Sequence, residues 1–185
     1  MDIFVIRIED ANNVNEDLLK EFQKKEISNE KKRKTHCFSY FMVDRILREV
    51  YKIENRKIIF KENKPILKSG EKHFSISHSG EYTVLGFSDC NCGIDIEKVN
   101  NKRDWKAIAE RMDFKSQSEE EFYKDWTKYE AEYKLRGKCS PDLEYTTSKK
   151  QGGKYESVYQ TKIDSYALTA VSENSAEKFE LYIKY

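Results

Sequence analysis

The chain has no run of 18 or more apolar residues, so nothing in it is long enough to span a membrane. Its start, M-D-I-F-V-I-R-I-E-D, lacks a basic stretch followed by a long apolar one, so a signal peptide is not expected and a soluble cytoplasmic protein is. It also lacks an excess of charge of either sign. Lys and Arg number 34 and Asp and Glu 33, a net charge of +1, which gives no basic field for nucleic acid. Cysteine is sparse. Cys37, Cys90, Cys92 and Cys139 read as free thiols, and Cys90-x-Cys92 has no second pair to complete a zinc site. No G-x-S-x-G elbow is present to make a hydrolase of Ser77 and His78, adjacent residues whose side chains point oppositely on a strand. The glycines of T147-S148-K149-K150-Q151-G152-G153-K154 lack a strand-to-helix setting, so this stretch is a loop or hairpin tip and not a phosphate cradle.

What the chain does have is charge of both signs, 36% in all, and 13% aromatic residues over 185 positions. That composition excludes disorder and suits one large domain or two small lobes. Residues 2–9 alternate and read as a central strand. Asn15 is placed to cap a helix running to about Lys25. A basic run, S28-N29-E30-K31-K32-R33-K34, precedes a core helix over 36–51. Strands follow over 56–61, 73–78 and 82–87, with a turn at E62-N63-K64-P65. The second half reads as a strand at 93–97, helices near 104–112 and over 118–136, and strands near 155–162, 165–172 and 179–184. The order of elements in the two halves is alike, although no residue-level repeat is visible.

Two stretches carry chemistry. In G93-I94-D95-I96-E97, Ile94 and Ile96 share one face of a strand, and Asp95 and Glu97 share the other. Two carboxylates so placed repel each other, and at the edge of a core they call for a cation. Their hard oxygens favour Mg²⁺, Mn²⁺ or Ca²⁺. An ordinary half-exposed strand has the same pattern. In E119-E120-E121-F122-Y123-K124-D125-W126-T127-K128-Y129-E130-A131-E132-Y133-K134, the residues Phe122, Trp126, Tyr129 and Tyr133 predict a buried aromatic stripe. Glu130 and Lys134 fall one turn apart on its shoulder, where they could reach Asp95 and Glu97. The plainer account is a surface i, i+4 pair worth about 0.2–0.5 kcal/mol.

Together these stretches resemble the 4′-phosphopantetheinyl transferase superfamily, of the Sfp type and like the holo-acyl-carrier-protein synthases. That family carries a Gly-Ile-Asp-x-Glu strand and a later Trp-(Ser/Thr)-x-Lys-Glu-(Ala/Ser)-x-x-Lys helix. The segments N63-K64-P65 and F74-S75-I76-S77-H78-S79-G80 are similar to the family's as well. One departure is Tyr129, where the family usually has Lys. The resemblance implies an α+β fold, a pseudo-dimer of two similar lobes with the active site between them, here 1–90 and 91–185. It implies transfer of the 4′-phosphopantetheine arm of coenzyme A to a serine of an apo acyl or peptidyl carrier protein, releasing adenosine 3′,5′-bisphosphate. It gives Asp95, Glu97 and Glu130 as ligands of Mg²⁺, with Mn²⁺ as a substitute, Glu130 as base and Lys134 as the cation on the pyrophosphate. Lys31, Lys34, Lys64, Ser77 and His78 become the coenzyme A contacts. An acidic carrier helix would dock on a basic patch that includes Lys102, Arg103 and Lys106. A monomer is expected, with neither nucleic acid nor membrane as partner.

Two other readings of the residues stay open. Tyr129 in place of Lys would suit a non-catalytic coenzyme A or carrier-protein binding module. Asp-x-Glu with a distant Glu and Lys also suits a metal-dependent phosphodiesterase.

Overall fold

The computed structural model describes residues 1–14, 22, 27–61, 64–100, 103–137 and 157–184. They form a mixed α+β structure: β1 (Asp2–Arg7), a 3-10 turn (Ile8–Asn13), α1 (Glu30–Glu49), β2 (Ile58–Lys61), β3 (Lys64–Leu67), β4 (His73–Ser79), β5 (Tyr82–Ser88), β6 (Cys92–Lys98), α2 (Trp105–Arg111), α3 (Glu119–Leu135), β7 (Ser157–Ile163), β8 (Tyr166–Ser172) and β9 (Glu180–Lys184). Apart from Phe22, the helix expected over 15–25 falls outside the described residues, as do Lys102, Cys139 and the 147–154 loop. Among the described residues no helix is long and apolar enough to cross a membrane.

One sheet has the order β4-β5-β1-β9, a second β6-β8-β7, and β2 and β3 form a separate hairpin. β1 lies between an antiparallel and a parallel neighbour, which explains its nearly continuous burial. β9, last in the chain, pairs with this first strand and not with the strands nearest to it in sequence.

Strand alternation sorts the side chains into layers. Phe4, Ile6, Phe74, Leu85 and Phe87 face α1, packing on Phe38, Val43 and Leu47. Ile3, Val5, Tyr82 and Val84 face the second sheet, meeting Ile94, Ile96, Leu168 and Ala170. The far side of the second sheet carries α3, through Ala131, Leu135 and Val171. Burying a side chain such as Leu47 or Phe87 contributes about 1.5–3 kcal/mol.

Three local expectations are corrected. α1 starts at Glu30, six residues before the expected start. The Asn29 side chain accepts a hydrogen bond from the Lys32 N–H at 3.0 Å, capping the helix, so the basic run forms its first turns. Lys64 and Pro65 are in strand β3 and not in a turn: Pro65 pairs with Phe60 on a two-stranded hairpin, where a missing N–H is tolerated. The fully buried side of α3 is Phe122, Tyr123, Thr127, Ala131 and Leu135. Trp126, Tyr129 and Tyr133 are half-buried, their rings succeeding one another along the flank at 6.2 Å spacing. The reason lies in β6. A Cβ at Gly93 would stand 2.0 Å from the Ala131 carbonyl oxygen, so a glycine facing an alanine draws α3 in along its small-residue side.

Candidate active site

That close approach sets Glu130 and Lys134, the residues flanking Ala131 and its neighbours on α3, over Asp95 and Glu97 of β6. The four side chains line one cleft of about 440 Å³, whose other walls include Lys64, Ser77 and His78. Lys31 and Lys34 are not in it. They line a second cleft with Arg7, Thr35 and Glu81, reached along α1 and past the β4–β5 turn.

Asp95 is buried. Its Oδ1 accepts hydrogen bonds from the Lys134 ammonium at 2.7 Å and the Ser77 hydroxyl at 2.7 Å. Lys134 also donates to the Ser77 oxygen at 2.8 Å and the Ile94 carbonyl at 3.2 Å. Glu97 accepts from the Ser79 hydroxyl at 3.1 Å and lies 4.0 Å from the Arg103 guanidinium.

The acids feel one another. Burial, then the Asp95 charge, raises the pKa of Glu97 above the ordinary carboxylate range. For Glu130, burial and the charges of Asp95 and Glu97 outweigh the pull of Lys134 and push it up to about 7. A carboxyl group titrating there can take and return a proton near neutrality. His78 is exposed at the cleft mouth, yet surrounding protein and the Lys134 charge hold its pKa below the usual imidazole value, favouring the neutral ring.

Two sequence candidates are already engaged. The Lys64 ammonium donates to the Asn91 side chain, to the Cys92 carbonyl at 3.2 Å and to the Leu135 carbonyl at 3.1 Å, tying β3 to β6 and to the end of α3. Ser77 is buried and gives its hydrogen to Asp95. It is a poor nucleophile there. Of the expected docking patch, Arg103 leans on Glu97, Lys106 is exposed beside the Trp105 ring, and Lys102 lies outside the described residues.

The suitability for a divalent cation rests on the donors. The three carboxylates offer hard oxygens, the Asp95 charge helps to raise the pKa of both Glu97 and Glu130, and Asp95 Oδ2 is buried with no hydrogen-bond partner. The excess negative charge and the bare oxygen fit such an ion. As the side chains stand, however, no three His, Cys, Asp or Glu among the described residues are grouped tightly enough to hold a metal, and the nearest cation to Asp95 is Lys134.

Ser75 and Ser79 were missed by the sequence reading, which singled out only Ser77 of the three. All three bond across to β6. The signal was present as the period-two run S75-I76-S77-H78-S79.

No protein-family model matches the chain. It is similar to the 4′-phosphopantetheinyl transferase psf-1 of Bacillus pumilus, 35% identical over 112 residues that cover 52% of this chain and 47% of that protein. The chain thus spans about half the length of this curated relative. The likeness supports the superfamily that the motifs suggest, without deciding its type.

Proposed function

We propose that the protein transfers the 4′-phosphopantetheine arm of coenzyme A to a serine hydroxyl of an apo acyl or peptidyl carrier protein. The observation that carries this reading is the meeting of Asp95, Glu97, Glu130 and Lys134, from one strand and one helix, in a single cleft beside His78. The relative's name points the same way.

In this mechanism Asp95, Glu97 and Glu130 would hold Mg²⁺, which when bound supplies positive charge to the pyrophosphate. Glu130, ionised above about pH 7, takes the proton of the carrier serine as its oxygen attacks the phosphorus bearing the pantetheine arm. The new serine O–P bond forms, the bridging O–P bond of the pyrophosphate breaks, and adenosine 3′,5′-bisphosphate leaves with the electron pair. Lys134, released from Asp95, neutralises the charge growing on the leaving phosphate. Neutral His78 offers a ring N–H to a phosphate oxygen.

Lys31 and Lys34 belong to the coenzyme A set through the second cleft. Basic residues in the first turns of a helix oppose its dipole, and a bound 3′-phosphate would relieve both. Lys64 enters that set only by loosening its carbonyl contacts, and Ser77 acts there through Asp95 and Lys134.

The finer architecture belongs to the same proposal: an Sfp-type pseudo-dimer of lobes 1–90 and 91–185, acting as a cytoplasmic monomer. A matched pair of contacts supports the duplication. Ser39 of α1 meets Thr83 of β5 at 2.8 Å, and Thr127 of α3 meets Thr169 of β8 at 2.7 Å.

The test is incubation with coenzyme A, Mg²⁺ and an apo carrier protein, read by mass spectrometry of the carrier. A gain of one phosphopantetheine on serine is expected. Coenzyme A binding without that gain would replace the proposal with a binding module, and cleavage of nucleic acid would replace it with a phosphodiesterase.

A further inference from the structure

The edges of the two sheets meet at β4 and β6, and they are not joined by ordinary strand pairing. Three serine hydroxyls of β4 accept the outward backbone N–H groups of β6. Ser75 accepts from Ile94 at 3.1 Å, Ser77 from Ile96 at 3.4 Å and Ser79 from Lys98 at 3.0 Å. The seam alone accounts for three serines: the Ile94 and Ile96 contacts are buried, where N–H groups without partners would be costly, and Ser79 continues the row to Lys98 at the exposed end.

The hydroxyl hydrogens go further. A serine that accepts from a backbone N–H still has one proton to give. Ser77 gives its proton to Asp95 Oδ1 at 2.7 Å, and Ser79 gives its proton to Glu97 Oε2 at 3.1 Å. The rungs step in register: Ser75 beside Gly93, Ser77 beside Asp95, Ser79 beside Glu97. Two rungs therefore hold a carboxylate, and the third faces a residue with no side chain to hold. At Asp95 both donors fall on Oδ1, and Oδ2 is left bare.

We propose that this serine ladder is the positioning element of the acidic site: Ser77 aims Asp95 and Ser79 aims Glu97 for a divalent cation, while Ser75 serves the seam alone. None of the three need touch substrate. The inference rests on the cation-binding reading above.

The experiment compares Ser75→Ala, Ser77→Ala and Ser79→Ala for Mn²⁺ affinity, by electron paramagnetic resonance in the presence of coenzyme A, and for thermal stability. All three should lower the melting temperature, since each removes one seam contact. Only Ser77→Ala and Ser79→Ala should weaken Mn²⁺, by about ten- to a hundredfold, the usual loss when an outer partner of a ligating group is removed. Equal weakening by Ser75→Ala, or none by Ser79→Ala, overturns the positioning role. If the alanine variants fail to fold, half-buried Ser79 gives a second comparison: Ser79→Thr should keep Mn²⁺ affinity and Ser79→Val, of the same shape without the hydroxyl, should lose it. Equal affinities for that pair also overturn the proposal. An unaltered chain that binds no Mn²⁺ overturns the cation reading itself, and the ladder's role with it, a result distinct from a parent that binds and variants that do not differ.

Discussion

Helices α1 and α3 press on their sheets with stripes that match position by position. α1 presents Ser39, Val43 and Leu47, and α3 presents Thr127, Ala131 and Leu135, in each case a hydroxyl residue followed at four-residue steps by apolar ones. Each hydroxyl pairs with a threonine of the sheet below. The difference lies one residue to the side. Where α1 has Met42 and Ile46, both buried, α3 has Glu130 and Lys134, both half-exposed over two acids. The same way of packing thus gives a sealed core in one case and a charged cleft in the other. The first is stabilised by apolar area. The second gives up some of that stabilisation to hold carboxylates close to one another.

The sharpest way to break the comparison is to give α3 the side chains of α1. Glu130→Met and Lys134→Ile should each lower transfer by roughly a hundred- to a thousandfold, the scale of one electrostatic contact at a transition state. Glu130→Met should also raise the melting temperature of the metal-free protein, because it relieves Asp95 and Glu97. Steady-state transfer rates and thermal melts check both.

The reverse change acts on stability alone. Leu47→Ala opens a cavity under α1 and should cost about 2–5 kcal/mol by chemical denaturation, with the transfer rate per folded molecule unchanged. Gly93→Ala tests the close approach that separates the two helices. Its Cβ would stand 2.0 Å from the Ala131 oxygen and 2.8 Å from the Leu135 nitrogen, both backbone atoms that cannot step aside. A loss of about 1–3 kcal/mol is expected, and transfer should fall with it as Glu130 and Lys134 are lifted from β6.

A smaller effect concerns pH. Glu130 titrates at about 7 in the folded chain against an ordinary 4.5, so between those values the native state holds a proton that the unfolded state has lost. Its contribution to stability is therefore full below about pH 4.5 and declines as pH rises to about 7. Glu97, also raised, has the same sign. His73 and His78, both lowered, act oppositely below their ordinary 6.5. Glu177, held at about 2 by its hydrogen bonds against the opposing effect of burial, changes only under more acid conditions. The check is the difference between the parent and Glu130→Gln: without metal, the parent's melting temperature should fall relative to the variant's between pH 5 and 8. The smallest change expected is that of Tyr129→Phe. Its ring lies in the half-buried row between Trp126 and Tyr133, which the substitution preserves, so stability should shift by no more than about 0.5 kcal/mol and transfer should be retained.

Local pattern made much of this legible. Alternation marks β1, β4 and β6 because neighbouring side chains on a strand must face opposite ways, and G-I-D-I-E shows which residues share a face before any partner is known. The four-residue step from Glu130 to Lys134 likewise fixes that they are neighbours on a helix. The helix stripe was read to one side of its fully buried face because aromatic residues dominate a hydrophobic pattern, and nothing local says that Gly93 and Ala131 will meet. Lys31 and Lys34 share a composition with the cleft's cations, but composition carries no direction, and α1 takes them to another cleft.

The sequence by itself determined most of the elements, though not strand β3 or the start of α1, together with the pairing of acids on β6 and the reach of Glu130 and Lys134, since these depend on bond geometry over a few residues. Tertiary structure alone decided that β9 returns to the first strand, that Lys64 closes on the carbonyls of Cys92 and Leu135, and that three serines stitch one sheet to the other. Those are contacts between segments far apart in the chain. Each exists because a buried N–H, carbonyl or carboxylate must find a partner, and which partner it finds depends on how the sheets and α3 close together.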